Sequence, residues 1–181
     1  MEFDPHIHHR RSIRRRGQDY ARAGAYFITL CAENRKSIFG QIRQETMQLY
    51  PLGHAAVQCW ETIPSHFPHV RLDSFVVMPN HLHGILFLDD SCQEPPLPPN
   101  VPPVWPPETK TPSRTIGSIV RGFKIGVTKW AKQHTSIQAI WQRDYFDRVL
   151  RDQEELVRAR NYIANNPLQW AIDKDNPECR P

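Results

Sequence analysis

The sequence predicts an α+β sandwich in which helices cover a mainly antiparallel sheet. Its segments follow the order strand, strand, helix, strand, strand, helix, strand, helix, which is typical of this class. Two apolar strand segments, RLDSFVVMP and HLHGILFLD, are separated by little more than Pro79 and Asn80. A chain of 181 residues is long enough for one good core and too short to need two, so we expect a single domain.

The first half of the chain predicts a hairpin, a helix and two further strands. YFITLCAE alternates and is rich in β-forming residues, and QIRQETMQLY offers a second, more polar strand after a turn at Gly40. In PLGHAAVQCWETIPSHFP, apolar residues recur at helical spacing, and we expect Pro64 to end this helix; they are Leu52, Ala55, Ala56, Cys59 and Ile63. The next two strands carry apolar residues on both faces, so we expect them to be central.

The second half begins with a proline-rich segment, EPPLPPNVPPVWPPETKTP, at residues 94–112. Prolines this dense allow neither a helix nor a strand ladder, which predicts a surface excursion of polyproline type. SRTIGSIVRGFKIGVTKWAKQH resumes helical periodicity, with an apolar stripe of Ile116, Ile119, Val120, Phe123, Val127 and Trp130.

A short strand in WQRDYFDRVL precedes the last helix, DQEELVRARNYIANNP. Asp152 and Glu155 can open this helix as a capping box, and we expect Pro167 to end it. These boundaries divide the chain into an N-terminal arm (1–24), a folded domain (25–170) and a C-terminal tail (171–181).

Composition argues against several classes of protein. Neither an N-terminal apolar region nor a later stretch reaches the length of a signal sequence or a membrane span, so we expect a cytoplasmic protein without a membrane partner. The four cysteines lie far apart with no CxxC pair, which argues against a zinc knuckle and a disulfide scaffold; they are Cys31, Cys59, Cys92 and Cys179.

Positive charge is concentrated in two places, although the formal net charge is only +4. The arm carries Arg10, Arg11, Arg14, Arg15, Arg16 and Arg22. Opposite the apolar stripe of the long helix lie Arg121, Lys129 and Lys132. Basic clusters of this kind commonly bind polyanions, so both sets are candidate DNA contacts. A solvated tail and a solvated helix face fit the same pattern.

Two histidines interrupt the apolar strand FVVMPNHLHGILFLDD. Because side chains two residues apart in a strand share a face, the imidazoles of His81 and His83 are expected to lie side by side. Together they could bind one divalent ion and leave it coordinatively open, as phosphoryl or hydrolytic chemistry requires. Such pairs also occur on ordinary surfaces. A metal site here would need a third protein ligand.

The last helix carries a tyrosine away from its apolar side. At 100° per residue, the stripe contains Leu156, Val157, Ala159, Ile163 and Ala164. Tyr162 and Asn166 fall together off that stripe, one turn apart, on the side of Glu155 and Arg158. Tyr162 is therefore expected to face a polar cleft or solvent.

Three segments resemble a known family: the arginine-rich arm followed by GAYFITL, then VVMPNHLHGIL, then NYIANNP. They are similar to the HUH single-tyrosine transposases and, within them, to the REP-associated tyrosine transposases of the IS200-like branch. The resemblance runs from about Arg10 to Trp170. It implies a ferredoxin-like palm and an enzyme that cleaves DNA and transfers strands.

The resemblance also implies roles for four residues. His81 and His83 match the family's histidine-hydrophobe-histidine metal pair, and Tyr162 matches its nucleophile. Asn166 falls where relatives place a polar side chain that completes the coordination, often glutamine in the insertion-sequence branch and asparagine in the REP-associated branch. The implied cofactor is Mg²⁺ or Mn²⁺, since two imidazoles and an amide lack the thiolates of structural zinc sites.

The implied partner is single-stranded or hairpin DNA, and the implied location is the nucleoid. A phenolate attacking a phosphodiester would leave a 5′-phosphotyrosine and a free 3′-hydroxyl. Two other functions stay open: a catalytically idle protein that binds hairpin DNA, and a metal-dependent nuclease that uses water. The resemblance does not choose between a monomer and a homodimer, because the two branches of the family differ.

Overall fold

The computed structural model describes residues 23–89, 114–173 and 176. The arginines predicted to contact DNA from the arm, at positions 10, 11, 14, 15 and 16, lie outside these residues, as does the proline-rich segment 94–112. The strands are β1 (Gly24–Cys31), β2 (Gly40–Arg43), β3 (Thr46–Leu49), β4 (Val70–Val77), β5 (His81–Leu88) and β6 (Phe146–Leu150). The helices are α1 (Pro51–Glu61), α2 (Ile63–His66), α3 (Ile116–His134) and α4 (Gln153–Gln169).

Four strands form one antiparallel sheet in the order β4-β5-β1-β6, and β2 and β3 form a separate hairpin. When that hairpin is left aside, the elements follow one another along the chain in the order β1, α1, β4, β5, α3, β6. β1 and β5 are the inner strands of the sheet, so the arrangement is ferredoxin-like. The predicted α+β class with helices over an antiparallel sheet is therefore confirmed.

The sheet has a core on each face because β1 and β5 are apolar on both sides. Tyr26, Ile28 and Leu30 of β1 belong to the larger core, together with residues of α1 and α3. Ala25 of β1 belongs to the smaller core, with Ile85 of β5 and residues of α4. Because His81 and His83 alternate in step with Ile85, they point to the α4 side of the sheet.

The cap of α4 fixes where the helix begins. The Asp152 carboxylate accepts a hydrogen bond from the Glu155 backbone N–H at 2.7 Å, as the capping box predicts. The Glu155 carboxylate accepts from the N–H of Arg151 at 3.0 Å, one residue earlier than in the usual box. Both carboxylates accept hydrogen bonds from backbone N–H groups that would otherwise have no partner at the start of the helix or in the turn before it.

Several predicted element boundaries are wrong. QIRQETMQLY does not pair with β1 but folds on itself, because Gln44 and Glu45 adopt left-handed conformations (φ 48° and 61°) and make a two-residue hairpin turn. Pro64 does not end a helix but lies in the first turn of α2, where a missing N–H costs no hydrogen bond. Pro167 does not end α4, which continues to Gln169: the ring's fixed φ is compatible with a helix, and its missing N–H removes only one backbone hydrogen bond, in the last turn.

Two predictions about burial also need correction. Of the two strands expected to be central, only β5 is; β4 lies at the edge of the sheet and has an irregularity between Leu72 and Phe75. The apolar stripe of α4 is narrower than predicted, because Leu156 and Ile163 are buried whereas Val157 is 43% exposed.

No helix among the described residues has the length and apolarity needed to cross a membrane.

Candidate active site

The two histidines of β5 lie side by side in the interior. Their ring centroids are 4.6 Å apart, and the side chains are 0% and 4% exposed for His81 and His83. The pairing of β5 with β1 places Cys31 opposite His81 and Thr29 opposite His83. The prediction that both imidazoles share a face of the sheet is confirmed.

Each imidazole is held through its Nδ1 atom. His81 Nδ1 lies 2.8 Å from the side-chain oxygen of Asn80, which can only accept, so Nδ1 carries the proton and Nε2 the lone pair. The Asn80 amide group in turn donates to the backbone carbonyl of Arg35 at 3.1 Å. His83 Nδ1 lies 2.8 Å from the hydroxyl of Thr29. Partners of this kind set the tautomer and the ring orientation of metal-binding histidines.

Burial keeps His83 neutral. Removal from water is the largest cause that lowers its pKa to about 3, and electrostatic repulsion from His81 and from the Arg35 guanidinium contributes to the same shift. At neutral pH the ring therefore has a lone pair to offer to an ion or a proton. The Phe27 ring stacks on the His83 ring, with centroids 5.3 Å apart, and restricts its rotation.

Tyr162 stands on α4 directly over His83. Its hydroxyl oxygen is 3.4 Å from His83 Nε2, and the two rings meet edge to face with centroids 5.1 Å apart. The side chain is 43% exposed, which confirms that it lies outside the core. A phenol that is accessible to a substrate and adjacent to an imidazole suits nucleophilic attack.

Asn166 lies one turn after Tyr162 but is only 1% exposed. Within the described part of the chain, its side-chain oxygen has no hydrogen-bond partner. A buried amide oxygen in that state is costly unless a ligand completes it. The oxygen suits the expected role of third metal ligand, because divalent ions such as Mg²⁺ prefer oxygen donors.

Two imidazoles and one amide oxygen are donors suited to a divalent ion, and three protein ligands would leave its coordination open. Among the described residues, no three side chains of His, Cys, Asp or Glu form a metal-binding cluster. An ion bound by His81, His83 and Asn166 would therefore need oxygen atoms of water or substrate to complete its shell.

A strained turn brings an arginine to the site. Asn34 and Arg35 have positive φ angles of 53° and 54°, a conformation that costs energy for residues with a side chain. Arg35 then lines a cavity of about 610 Å³ that also contains His83 and Tyr162. Arg148 and Arg158 line the same cavity, as do Asp144 and Glu155; Arg148 is paired with Glu155, and Arg158 with Glu154. Such a cavity is suited to a phosphate-bearing substrate.

A bidentate ion pair fastens α4 to the edge strand. Arg160 Nε donates to both carboxylate oxygens of Asp73 at 3.1 Å, and a terminal nitrogen of the guanidinium also donates to Asp73. Ser74 donates to the same carboxylate from its backbone N–H. The Arg160 hydrogen bonds are the largest cause that lowers the pKa of Asp73. Since Arg160 precedes Tyr162 by two residues, the pair fixes the helix that carries the tyrosine.

The structure places the other predicted site residues away from this cavity. Arg121, Lys129 and Lys132 are exposed on α3 and line a different groove. The structure also shows contributors that the sequence analysis missed, namely Thr29, Asn80 and Arg35. Alternation in β1 could have indicated Thr29, a polar residue on an otherwise apolar strand. No local sequence pattern indicates Arg35, except that the residue before it, Asn34, is an asparagine, which tolerates a left-handed turn.

One relative is similar along nearly the whole chain. An uncharacterised protein of Haemophilus influenzae (strain Rd) is 45% identical over 177 residues, which cover 96% of each chain. The two proteins belong to one family. No protein-family model matches the sequence.

Solved structures with the same architecture include a REP-associated tyrosine transposase bound to a REP hairpin. The TM-score is 0.54 at 20% identity, and the match covers 86% of this chain and 73% of the transposase chain. This agreement establishes a shared fold. A proposed transposase of Deinococcus radiodurans gives a TM-score of 0.45 at 14% identity, with 84% of this chain and 97% of that chain covered, which is too low to carry weight.

Proposed function

We propose that this protein is a metal-dependent DNA-cleaving and strand-transferring enzyme that uses Tyr162 as its nucleophile. The observation that carries the proposal is the position of the Tyr162 hydroxyl, 3.4 Å from Nε2 of His83 in an open, arginine-lined cavity. The fold shared with a REP-associated tyrosine transposase and the motifs MPNHLHG and NYIANNP agree with it.

His81, His83 and Asn166 are proposed to hold Mg²⁺ or Mn²⁺. Asn80 and Thr29 keep the two imidazoles oriented, and burial keeps His83 in its neutral, ion-binding form. An ion bound there would polarise the scissile phosphate and stabilise the departing oxygen. Arg35, Arg148 and Arg158 line the cavity and would neutralise phosphate charge, the last two by exchanging their ion pairs with Glu155 and Glu154 for the phosphate.

The proposed step exchanges one phosphate ester for another. The Tyr162 oxygen attacks the phosphorus, its proton passes to water, and a tyrosine–phosphate bond forms. The bond from phosphorus to the 3′ oxygen breaks, and that oxygen takes up a proton. The products are a 5′-phosphotyrosine and a strand with a 3′-hydroxyl. Because the covalent link preserves the ester, the 3′-hydroxyl of another strand can attack it and rejoin DNA without ATP.

DNA is the proposed partner. The solved transposase of the same fold is bound to a REP hairpin, and hairpin DNA is the corresponding substrate here. The arm arginines Arg10, Arg11, Arg14, Arg15 and Arg16 would add phosphate contacts, as would Arg121, Lys129 and Lys132 on α3.

The deciding experiment looks for a covalent adduct. The protein is incubated with end-labelled single-stranded hairpin DNA and Mn²⁺, then separated in denaturant. We expect the parent chain to form a labelled protein–DNA band and a fragment with an extendable 3′-hydroxyl. Tyr162→Phe removes one oxygen and keeps the ring, so it should abolish the band while leaving folding and hairpin affinity nearly unchanged. Tyr50→Phe, a half-exposed tyrosine before α1, is the matched control and should keep it.

Three outcomes would contradict the proposal. Metal-dependent cleavage without any adduct would make water the nucleophile and the protein a nuclease. Hairpin binding without cleavage, in every divalent ion tested, would indicate a catalytically idle DNA-binding protein. An adduct that persists in Tyr162→Phe would require another nucleophile, of which Tyr145 is the first candidate because it lines the same cavity.

A further inference from the structure

A groove on the outer side of α3, here called the α3 groove, has a volume of about 860 Å³ and collects positive charge. Its cationic side chains are Arg121, Lys124, Lys129, Lys132 and Arg143. Among the described residues that line it, none is acidic. Ile125, which is 56% exposed, and Tyr145 add apolar surface between the charges. A helix face that serves only to keep the protein soluble does not need exposed apolar side chains between its charges.

The α3 groove meets the cavity of Tyr162. Tyr145 lines both; of the two residues that precede it in the chain, Arg143 lines the α3 groove and Asp144 lines the cavity of Tyr162. A ligand that extends along the α3 groove past Tyr145 therefore arrives at the tyrosine and histidine of the site.

The segment between the two cavities is fixed to α3. Lys124 Nζ donates to the backbone carbonyls of Gln142 at 2.7 Å and Asp144 at 3.2 Å, and Trp141 Nε1 donates to the carbonyl of Lys124 at 3.3 Å. The same Nζ lies 5.9 Å from the centre of the Tyr145 ring. Lys124 thus anchors the segment that carries Tyr145, and Arg121, Lys129, Lys132 and Arg143 are the cations left exposed to a ligand.

We propose that the α3 groove binds the single-stranded continuation of the DNA whose phosphate lies at Tyr162, and that Tyr145 stacks on a base where the strand passes between the cavities. This inference rests on the proposed function and adds the path of the strand beyond the reacting phosphate and the residue that stacks on it. Cations along a channel with an aromatic ring among them are the usual means of holding single strands, because every base has a face that can stack. A duplex hides those faces and would use the cations alone.

Fluorescence anisotropy with a labelled 20-nucleotide oligothymidine and a 20-base-pair duplex tests the proposal. Both are titrated in excess chelator, so binding is measured without chemistry. Lys129→Gln/Lys132→Gln is expected to weaken oligothymidine binding roughly 10-fold. The matched control Arg43→Gln/Arg71→Gln removes two exposed cations elsewhere and should change it less than about 2-fold.

Tyr145 gives the sharper readout. Tyr145→Ala should weaken oligothymidine binding by roughly 5-fold or more and leave duplex binding unchanged, whereas Tyr145→Phe should keep the parent affinity because the ring remains. An equal loss of oligothymidine binding in the control variant, an equal loss of duplex binding in Tyr145→Ala, or no effect of Tyr145→Ala on oligothymidine binding would overturn the proposal. Adduct formation by Tyr162 is a separate measurement, so a failed nucleophile and a wrong strand path give different results.

Discussion

At the scale of single residues, the orientation of each imidazole depends on one neighbour. Thr29 holds His83 and Asn80 holds His81, both through Nδ1 at 2.8 Å. Neither neighbour is proposed to touch DNA, so both are positioning residues. Their contribution should appear in the affinity for the ion before it appears in folding.

Thr29→Val should weaken Mn²⁺ binding by about 10- to 100-fold, because the change keeps the side chain's shape and removes the hydroxyl that fixes the His83 ring. Isothermal titration of Mn²⁺ into the DNA-free protein measures the change. Thr46→Val, on the exposed side of the β2–β3 hairpin, is the matched control and should bind Mn²⁺ like the parent. Equal affinities for the parent and Thr29→Val would show that the hydroxyl does not support a metal ligand.

Sequence spacing was enough to predict which polar residues interrupt an apolar strand or lie off the apolar stripe of a helix. It was not enough to predict all of the contacts that these residues make. His81 and His83 follow from strand alternation, and Tyr162 from helical periodicity. The contact of Thr29 with His83 joins residues 54 positions apart. It depends on the register of β1 against β5, which no local pattern specifies.

At the scale of elements, Gly84 lets α1 lie close to β5. A Cβ atom at Gly84 would lie 2.3 Å from Cζ2 of Trp60, whose indole stacks on Phe75 with centroids 4.9 Å apart. The glycine that follows the histidine pair is thus required by packing on the opposite face of the sheet.

Gly84→Ala should destabilise the fold by about 1–3 kcal/mol, because the indole has to move out of a filled core. Urea unfolding followed by circular dichroism measures the loss. In a Trp60→Phe background the benzo ring that causes the clash is absent, so the same change should cost less. A cost that is identical in both backgrounds would mean that the clash with Trp60 is not the cause.

The ion pair between α4 and β4 should make stability depend on pH. The Arg160 hydrogen bonds lower the pKa of Asp73, so the carboxylate stabilises the folded state fully above the ordinary aspartate pKa of about 4 and loses that contribution as pH falls through its lowered value. We expect the stability gap between the parent and Asp73→Asn to be widest above pH 4 and to close below it. Urea unfolding from pH 6 to pH 3 measures the gap.

The exposed substitution Glu61→Gln, at the end of α1, is the control for the loss of one carboxylate. Its stability gap from the parent should stay small across the same range. A gap for Asp73→Asn that does not narrow with acid would assign its effect to shape rather than to charge.

The elements themselves were predictable where periodicity extends over many residues, as in α3 and β5. The errors lie where a short backbone feature decides the outcome. Gln44 and Glu45 adopt left-handed conformations, so the segment predicted as one strand is a hairpin. The position of β4 at the edge follows from the order of the strands in the sheet, and the apolar residues on both of its faces do not reveal that order.

At the scale of the whole molecule, the described residues form the cavity that contains Tyr162, on the α4 face of the sheet, and a basic groove along α3 that shares Tyr145 with it. The sequence predicted the cations of that helix but not their relation to Tyr162, because the link is made by the segment that Lys124 anchors. If the protein binds DNA as proposed, this groove and the arginine-rich arm should each contribute to the affinity, and charge-removing substitutions in one cluster or the other should separate the two contributions.

Arg14→Gln/Arg15→Gln/Arg16→Gln should weaken hairpin DNA binding and flatten its salt dependence, since each lost phosphate contact removes about 0.7 to 0.9 from the slope of log affinity against log salt. Titrations from 50 to 300 mM salt, in chelator, measure that slope. The triple variant should lower it by about two and leave the rate of adduct formation at saturating DNA unchanged, because the arm binds phosphates away from the reacting one. Combined with Lys129→Gln/Lys132→Gln, the reductions in slope should add, since the clusters bind different phosphates. An unchanged slope in the arm variant, with a reduced one in the groove variant, would show that α3 alone carries the electrostatic contact with DNA.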